Sequence, residues 1–188
     1  KVEPPGGDQA RQLMDTGPLA AARMAPMFQG MNAGKRSIVL DLKDPASKEV
    51  VRRLVARAGV VVENARPGTM ERLGYGYEAI RAIRPDIIYC SVSGFGQSGP
   101  RRDSPAYDGA IQAASGMMSV TGRAGEGPTK IGFPVADASS AMMAAFAIAS
   151  ALYRRAQTGE GQYLDVSMLD TALWMLSPLV TSYAVSGN

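Results

Sequence analysis

Between Lys35 and Ser93 the sequence alternates three times between a strand pattern and a helix pattern, and this alternation restricts the fold more than any other feature. Residues 35–43 form an apolar stretch with two basic residues at its start and predict a strand. Asp44-Pro45 then opens a helix, with Asp as the N-cap and Pro in the first turn. Val50, Val51, Leu54, Val55 and Ala58 recur at helical spacing on one face, and Gly59 ends the helix. Val60 to Glu63 reads as a buried strand, followed by the loop 64–68, a short helix from Thr69 and a second over residues 77–83. Pro85 introduces a third strand over 87–93. Strand–helix alternation of this kind predicts an α/β fold, a Rossmann-like, mostly parallel sheet with flanking helices. In such sheets ligands sit beyond the carboxyl ends of the strands. The loops expected there are 64–68, 94–103 and the junction near Asp170.

That junction lies in Gly161-Gln-Tyr-Leu-Asp-Val-Ser-Met-Leu-Asp170-Thr-Ala-Leu-Trp-Met175, which reads as a short strand running straight into a helix. A carboxylate at the start of a helix meets unpaired N–H groups and the positive end of the helix dipole. Asp170 is therefore either a nucleophile kept ionised or an ordinary N-cap, and the stretch alone leaves both open. Residues 94–103 are Gly-rich with Arg101 and Arg102, suited either to presenting N–H groups to an anion or to a plain surface loop. A helix rich in small residues is expected from Tyr107 to about residue 118. A long helix over 137–156, apolar almost all round, is expected to be buried. Its apolar core, residues 141–152, is too short to span a bilayer. Residues 1–34 show no clean period and read as mostly loop with short helical pieces.

The chain contains no histidine, which excludes a Ser-His-Asp triad, a Cys-His pair and His-based zinc sites within it. The single cysteine, Cys90, excludes an internal disulfide and lies in an apolar run, so it reads as a core residue in a reducing, cytoplasmic setting. Nucleophilic or acid–base work falls to carboxylates, Lys, Tyr, Ser or the lone Cys90. With a net charge of +3 and scattered basic residues, nucleic-acid binding is weakly supported, and a small anionic ligand suits the charge at least as well.

Six blocks, in order, resemble the class III CoA-transferases, the formyl-CoA and carnitine-CoA transferase group. They are Gly34-Lys-Arg-Ser-Ile-Val-Leu-Asp-Leu-Lys43, Val62-Glu-Asn-Ala-Arg-Pro-Gly-Thr-Met-Glu-Arg-Leu-Gly74, Tyr89-Cys-Ser-Val-Ser-Gly-Phe-Gly-Gln-Ser-Gly-Pro100, Pro105-Ala-Tyr-Asp108, Ser115-Gly-Met-Met-Ser-Val-Thr-Gly122 and Thr158-Gly-Glu-Gly-Gln-Tyr-Leu-Asp-Val-Ser-Met-Leu-Asp170. The resemblance implies that Asp170 is the catalytic nucleophile, forming acyl-aspartyl and aspartyl-CoA intermediates. It implies that Asn64 and Arg72, with Lys35 and Arg36, hold coenzyme A, and that Tyr107 lies near the acyl group. No metal and no permanently bound cofactor is implied. Acyl-CoA and a small carboxylate are the substrates, and the assembly is an interlocked homodimer, with no nucleic-acid or membrane partner.

Where relatives carry an aromatic after the Asn this chain has Ala65, and where some carry Lys it has Pro105. By the same resemblance residues 1–188 are a partial large, Rossmann-like domain. An N-terminal strand would precede it, and a glycine-rich loop and a small domain would follow. Two other readings stand beside this one. The first is an acyl-CoA racemase of the same superfamily, whose His would fall at Tyr107 and whose Asp at Asp137. The second is a non-catalytic CoA-binding fragment.

Overall fold

The computed structural model describes residues 1–13 and 17–187, and the chain divides into two compact units, Lys1–Arg53 and Leu54–Asn188. The strands are shared between two sheets, one in each unit, and every strand pair is parallel.

In the first unit β1 (Val2–Glu3) pairs with β2 (Ile38–Val39). The expected strand over 35–43 is thus reduced to two residues, both exposed, and the partner strand at Val2–Glu3 falls in a region read as loop. Two short helices, α1 (Pro18–Ala21) and α2 (Pro26–Asn32), each start on a proline, whose fixed φ suits a first helical turn. The unit is organised around Glu3, which is 1% exposed. Arg11 grips its carboxylate in a fork, Nε to Oε2 at 2.7 Å and Nη2 to Oε1 at 2.9 Å. The Ser37 hydroxyl donates to Oε1 at 2.6 Å, and the Asp8 N–H to Oε2 at 3.1 Å. The Phe28 ring, also buried, takes the Arg11 guanidinium at 3.9 Å and the Lys1 ammonium at 4.9 Å.

The helix α3 (Ser47–Arg57) carries the boundary between the units. Asp44 Oδ1 accepts the Ala46 N–H at 2.9 Å, as a cap does, although the regular helix begins only at Ser47.

The second unit is a three-stranded sheet in the order β3 (Val60–Glu63), β4 (Ile88–Ser93), β5 (Gln162–Ser167). Between β3 and β4 lie α4 (Thr69–Leu73) and α5 (Tyr77–Ile83), as the spacing predicts. Only the central strand is buried along its length. β3, expected to be buried, is an edge strand, and Val62 is largely exposed. Cys90 is fully buried, as expected, and packs with Ala144 and Val166. Burial pushes its thiol pKa up.

Between β4 and β5 run α6 (Asp108–Ala114), a 3₁₀ turn at Met117–Val120 and α7 (Val135–Thr158). The helix expected to continue to residue 118 stops at Ala114, where Ser115 Oγ turns back to the Gln112 carbonyl. α7 overturns two expectations. It is 24 residues long, enough by length and composition to cross a membrane. Nor is it buried all round: Val135, Ala136, Ser140, Ala144 and Ala151 are buried, while Met142, Phe146 and Tyr153 are exposed. Small residues bring one side close to β4 and β5, where Met143 and Ile148 also pack, and Met142, Phe146 and Tyr153 lie away from it. Its last turn is tied to the amino ends of the strands by Arg155, which donates to Gly59 O at 2.8 Å and Asp86 O at 3.2 Å. After β5 the chain passes directly into α8 (Met168–Met175) and α9 (Ser177–Ser186).

Candidate functional site

Because β3, β4 and β5 are adjacent and parallel, their carboxyl ends lie side by side, and the three loops expected to carry the site leave from one edge. The register fixes this: Glu63 pairs with Ser91, and Ser93 with Ser167. The contacts between the loops follow from that adjacency.

Asn64, the first residue past β3, donates its side-chain amide to Val92 O at 2.6 Å, binding the first loop to the central strand. Gly94, the first residue past β4, accepts the Leu169 N–H through its carbonyl at 3.0 Å, binding the second loop to α8. The same glycine lies under Ala106. A Cβ at position 94 would come to 2.1 Å from the Ala106 Cβ, so only glycine permits the approach. Ala106 in turn precedes Tyr107, which occupies the N-cap position of α6 and is 77% exposed. Asn64, Tyr107 and Asp170 are thus drawn to one edge by contacts through Val92, Gly94, Ala106 and Leu169.

Asp170 is in the first turn of α8, but it is not the cap. Ser167 caps the helix, its hydroxyl accepting the Asp170 N–H at 3.1 Å. With the capping role filled, the Asp170 side chain is exposed and makes no hydrogen bond or ion pair among the described residues. The pattern Ser167-x-x-Asp170 was visible in the sequence as a capping signature. Beneath this turn Met168 and Ala172 pack with Ile111, Met117, Val135 and Ala136, so α6, α7 and α8 share one core cluster behind the edge.

The other expected residues are arranged less uniformly. Arg72, on α4, is exposed; its Nη2 donates to Thr69 Oγ1 at 2.9 Å, and it pairs with no carboxylate among the described residues. Lys35 and Arg36 belong to the first unit. Lys35 Nζ caps the end of α2 through Met31 O at 2.7 Å, and the Arg36 carbonyl accepts from the backbone nitrogen of Lys1 at 2.7 Å. The two arginines of the loop after β4 are partly occupied: Arg101 lies over the Phe95 ring at 4.2 Å, and Arg102 faces Asp103 at 3.4 Å.

Three acidic residues at this end of the unit were not singled out by the sequence. Asp108 is buried and holds the start of α7, its Oδ1 accepting the Ala136 N–H at 2.8 Å while Oδ2 accepts from Gln112 at 2.6 Å. Glu63 has its pKa pushed up, first by burial and then by the charges of Glu71 and Asp165, against the opposing bonds from Ser91 and the Ala65 N–H. Asp165 receives the Gln97 N–H at 2.9 Å. Asp137, singled out by the racemase reading, is raised by burial and by the neighbouring Asp108 charge, with Lys130 acting the other way. On the sheet face that carries Tyr89 and Tyr163, a cleft of about 430 Å³ is lined by Glu71, Gly76, Tyr77, Glu78, Ala79 and Tyr163. None of the expected site residues lines it.

The family model described as CoA-transferase family III matches residues 1–188. The chain belongs to CoA-transferase family III. Within CoA-transferase family III, it is 42% identical over its whole length to the acetyl-CoA:oxalate CoA-transferase of Acetobacter aceti, covering 48% of that protein. It is 40% identical to the succinate–glutarate CoA-transferase of Agrobacterium fabrum, again over the whole chain and 48% of the relative. The crystal structure of a CAIB/BAIF family protein from Brucella suis superposes on all of the chain with a TM-score of 0.91 at 40% identity, the chain covering 50% of it. The family III chain described here thus spans about half the length of the relatives it matches.

Proposed function

We propose that the protein carrying this chain transfers coenzyme A from an acyl-CoA thioester to a carboxylic acid, with Asp170 as the nucleophile. The observation that carries the proposal is the state of Asp170: exposed, unpaired among the described residues, and relieved of capping by Ser167 at the edge where three loops converge. The names of the relatives support the transfer step, since both are CoA-transferases although their acids differ.

The chemistry follows from a carboxylate at that place. An Asp170 oxygen attacks the thioester carbonyl, the C–S bond breaks, and CoA thiolate leaves, giving an acyl–aspartyl anhydride. The thiolate then attacks the aspartyl carbonyl, releasing the donor acid and leaving an aspartyl-CoA thioester. The acceptor carboxylate attacks that thioester and expels thiolate again. The thiolate finally takes the acceptor's acyl group and frees Asp170. Each step exchanges one acyl bond for another, so no redox partner is needed and no histidine is called for. Exclusion of water protects the anhydride. Arg72, which pairs with no carboxylate among the described residues, and Asn64 are assigned to coenzyme A, and Tyr107 to the acyl group. The active form is a cytoplasmic homodimer, and residues 1–188 contribute part of its large domain.

The test is Asp170→Asn in the intact protein, with mass spectrometry after incubation with acetyl-CoA or succinyl-CoA. The unsubstituted protein should gain an acyl or CoA adduct on the peptide containing Asp170. The variant should lose it, together with at least about 10³-fold in kcat. Transfer that persists in the variant would remove Asp170 from the nucleophile's role.

A further inference from the structure

The first turn of the loop after β4 is fastened at both of its ends. Gly94 O accepts the Leu169 N–H from α8 at 3.0 Å, and the Gln97 N–H donates to Asp165 Oδ2 on β5 at 2.9 Å. Between these points lie Phe95 and Gly96. Gly96 has φ +84°, and a Cβ there would lie 3.6 Å from Asp165 Oδ2 and 3.7 Å from the Ser167 Cβ. Asp165 and Ser167 are two residues apart on one strand and so share a face. Ser167 is the cap that accepts the Asp170 N–H. One short path therefore joins Asp165, the turn, Ser167 and Asp170.

Two further observations give Asp165 a specific task. It makes no ion pair with Lys or Arg among the described residues, so its carboxylate serves the backbone of the turn and not a salt bridge. Ser93 Oγ at the end of β4, where the turn begins, and Gln97 Nε2 within the turn are buried and without hydrogen-bond partners among the described residues. Unpartnered buried groups weaken a local conformation, so this turn depends on an outside anchor. A hydrogen bond to an ionised carboxylate is the stronger kind of anchor.

We propose that Asp165 is a positioning residue for the reaction at Asp170: its carboxylate holds residues 94–97 against the first turn of α8, so that Asp170 and the thioester meet in a fixed geometry. This rests on the reading of Asp170 as the nucleophile. The test compares Asp165→Ala, Asp165→Asn and Gly96→Ala in the intact protein, with acetyl-CoA and succinyl-CoA as probes. Asp165→Ala should lower kcat, and the rate of adduct formation on Asp170, by about 10- to 100-fold, the cost of misplacing a reacting group by a fraction of an ångström to one ångström. KM for the acyl-CoA should change by less than about threefold, because the loss is confined to the chemical step. Asp165→Asn, whose amide oxygen still accepts the Gln97 N–H, should recover most of the rate. Gly96→Ala strains the same turn at its positive φ while leaving the Asp165 carboxylate in place, and should reproduce the kcat loss even if Asp165→Ala fails to fold. A full rate in Asp165→Ala or in Gly96→Ala, an Asn variant as poor as the Ala variant, or a change in KM alone would overturn the proposal and leave Asp170 untouched. No adduct on Asp170 in the unsubstituted protein would overturn both readings.

Discussion

Glu3 and Glu63 occupy the same place in two different sheets: each is the last residue of a parallel strand, and each turns its carboxylate into its own unit. Their surroundings are opposite. Glu3 meets the Arg11 fork, the Ser37 hydroxyl and the Asp8 N–H, and these hold its pKa far below the usual carboxylate range. Glu63 meets no cation among the described residues. Burial, with Glu71 and Asp165 nearby, raises its pKa. The first carboxylate is a fastening. The second is an electrostatic load carried at the edge where the candidate site lies, and strain of this sort is characteristic of functional ends of a fold.

The largest expected effect comes from breaking the fastening. Arg11→Met leaves the 1%-exposed Glu3 without its cation, held only by the Ser37 hydroxyl and the Asp8 N–H, and should be the most destabilising of these changes. Glu3→Gln should cost less, because Arg11 retains access to water. Urea denaturation followed by circular dichroism measures both, and equal losses would show that the pair is not buried in solution. The pH dependence follows from the direction of the shift. Glu3 binds its proton less readily when folded, so its contribution is complete above the unfolded value near 4.5 and is lost as pH falls below it.

Glu63→Gln sharpens the contrast from the other side. A raised pKa means that the folded state holds the proton more tightly, so ionisation at neutral pH costs stability. The variant should be more stable than the parent at pH 7, by less than about 1 kcal/mol, the range of a single part-buried substitution. The advantage should shrink as pH falls, because the parent's folded carboxyl takes up its proton above the ordinary 4.5. A variant that is less stable at pH 7 would mean that the bonds from Ser91 and the Ala65 N–H outweigh the burial.

The same contrast explains what the sequence made legible. The strands over 60–63 and 88–93, and the helices 69–73 and 77–83, were readable because local period and Gly/Pro punctuation agree there. The convergence of the loops at 64, 94 and 170 followed from parallel order alone. β1 was missed because two residues carry no period, and their pairing with Ile38–Val39 bridges 34 intervening residues. Asp170 was readable as a choice between cap and nucleophile; that Ser167 takes the cap required coordinates, although its spacing was in view. Nothing in the sequence singled out Asp165, since its partner is a backbone N–H 68 residues away. α7 was misjudged because hydropathy does not distinguish small residues that pack from large ones left outside.

That last distinction leads to the smallest effect. Phe146 is 69% exposed, on the same helix as Ala144 at 6%. If hydropathy governed the burial of α7, Phe146 would be a core residue, and replacing it would cost several kcal/mol. The packing gives the reverse: Ala144 lies against Cys90 and Val166, and the ring of Phe146 lies in the open. Phe146→Gln should therefore change the stability of this chain by no more than about 0.5 kcal/mol, as for surface positions in general. Gln is also a good helix former, so propensity adds nothing against it. A loss above about 1 kcal/mol in urea denaturation would show that the ring is covered in solution. Concentration dependence of that loss would then identify a second copy of the chain as the cover, because only an intermolecular contact makes apparent stability vary with protein concentration.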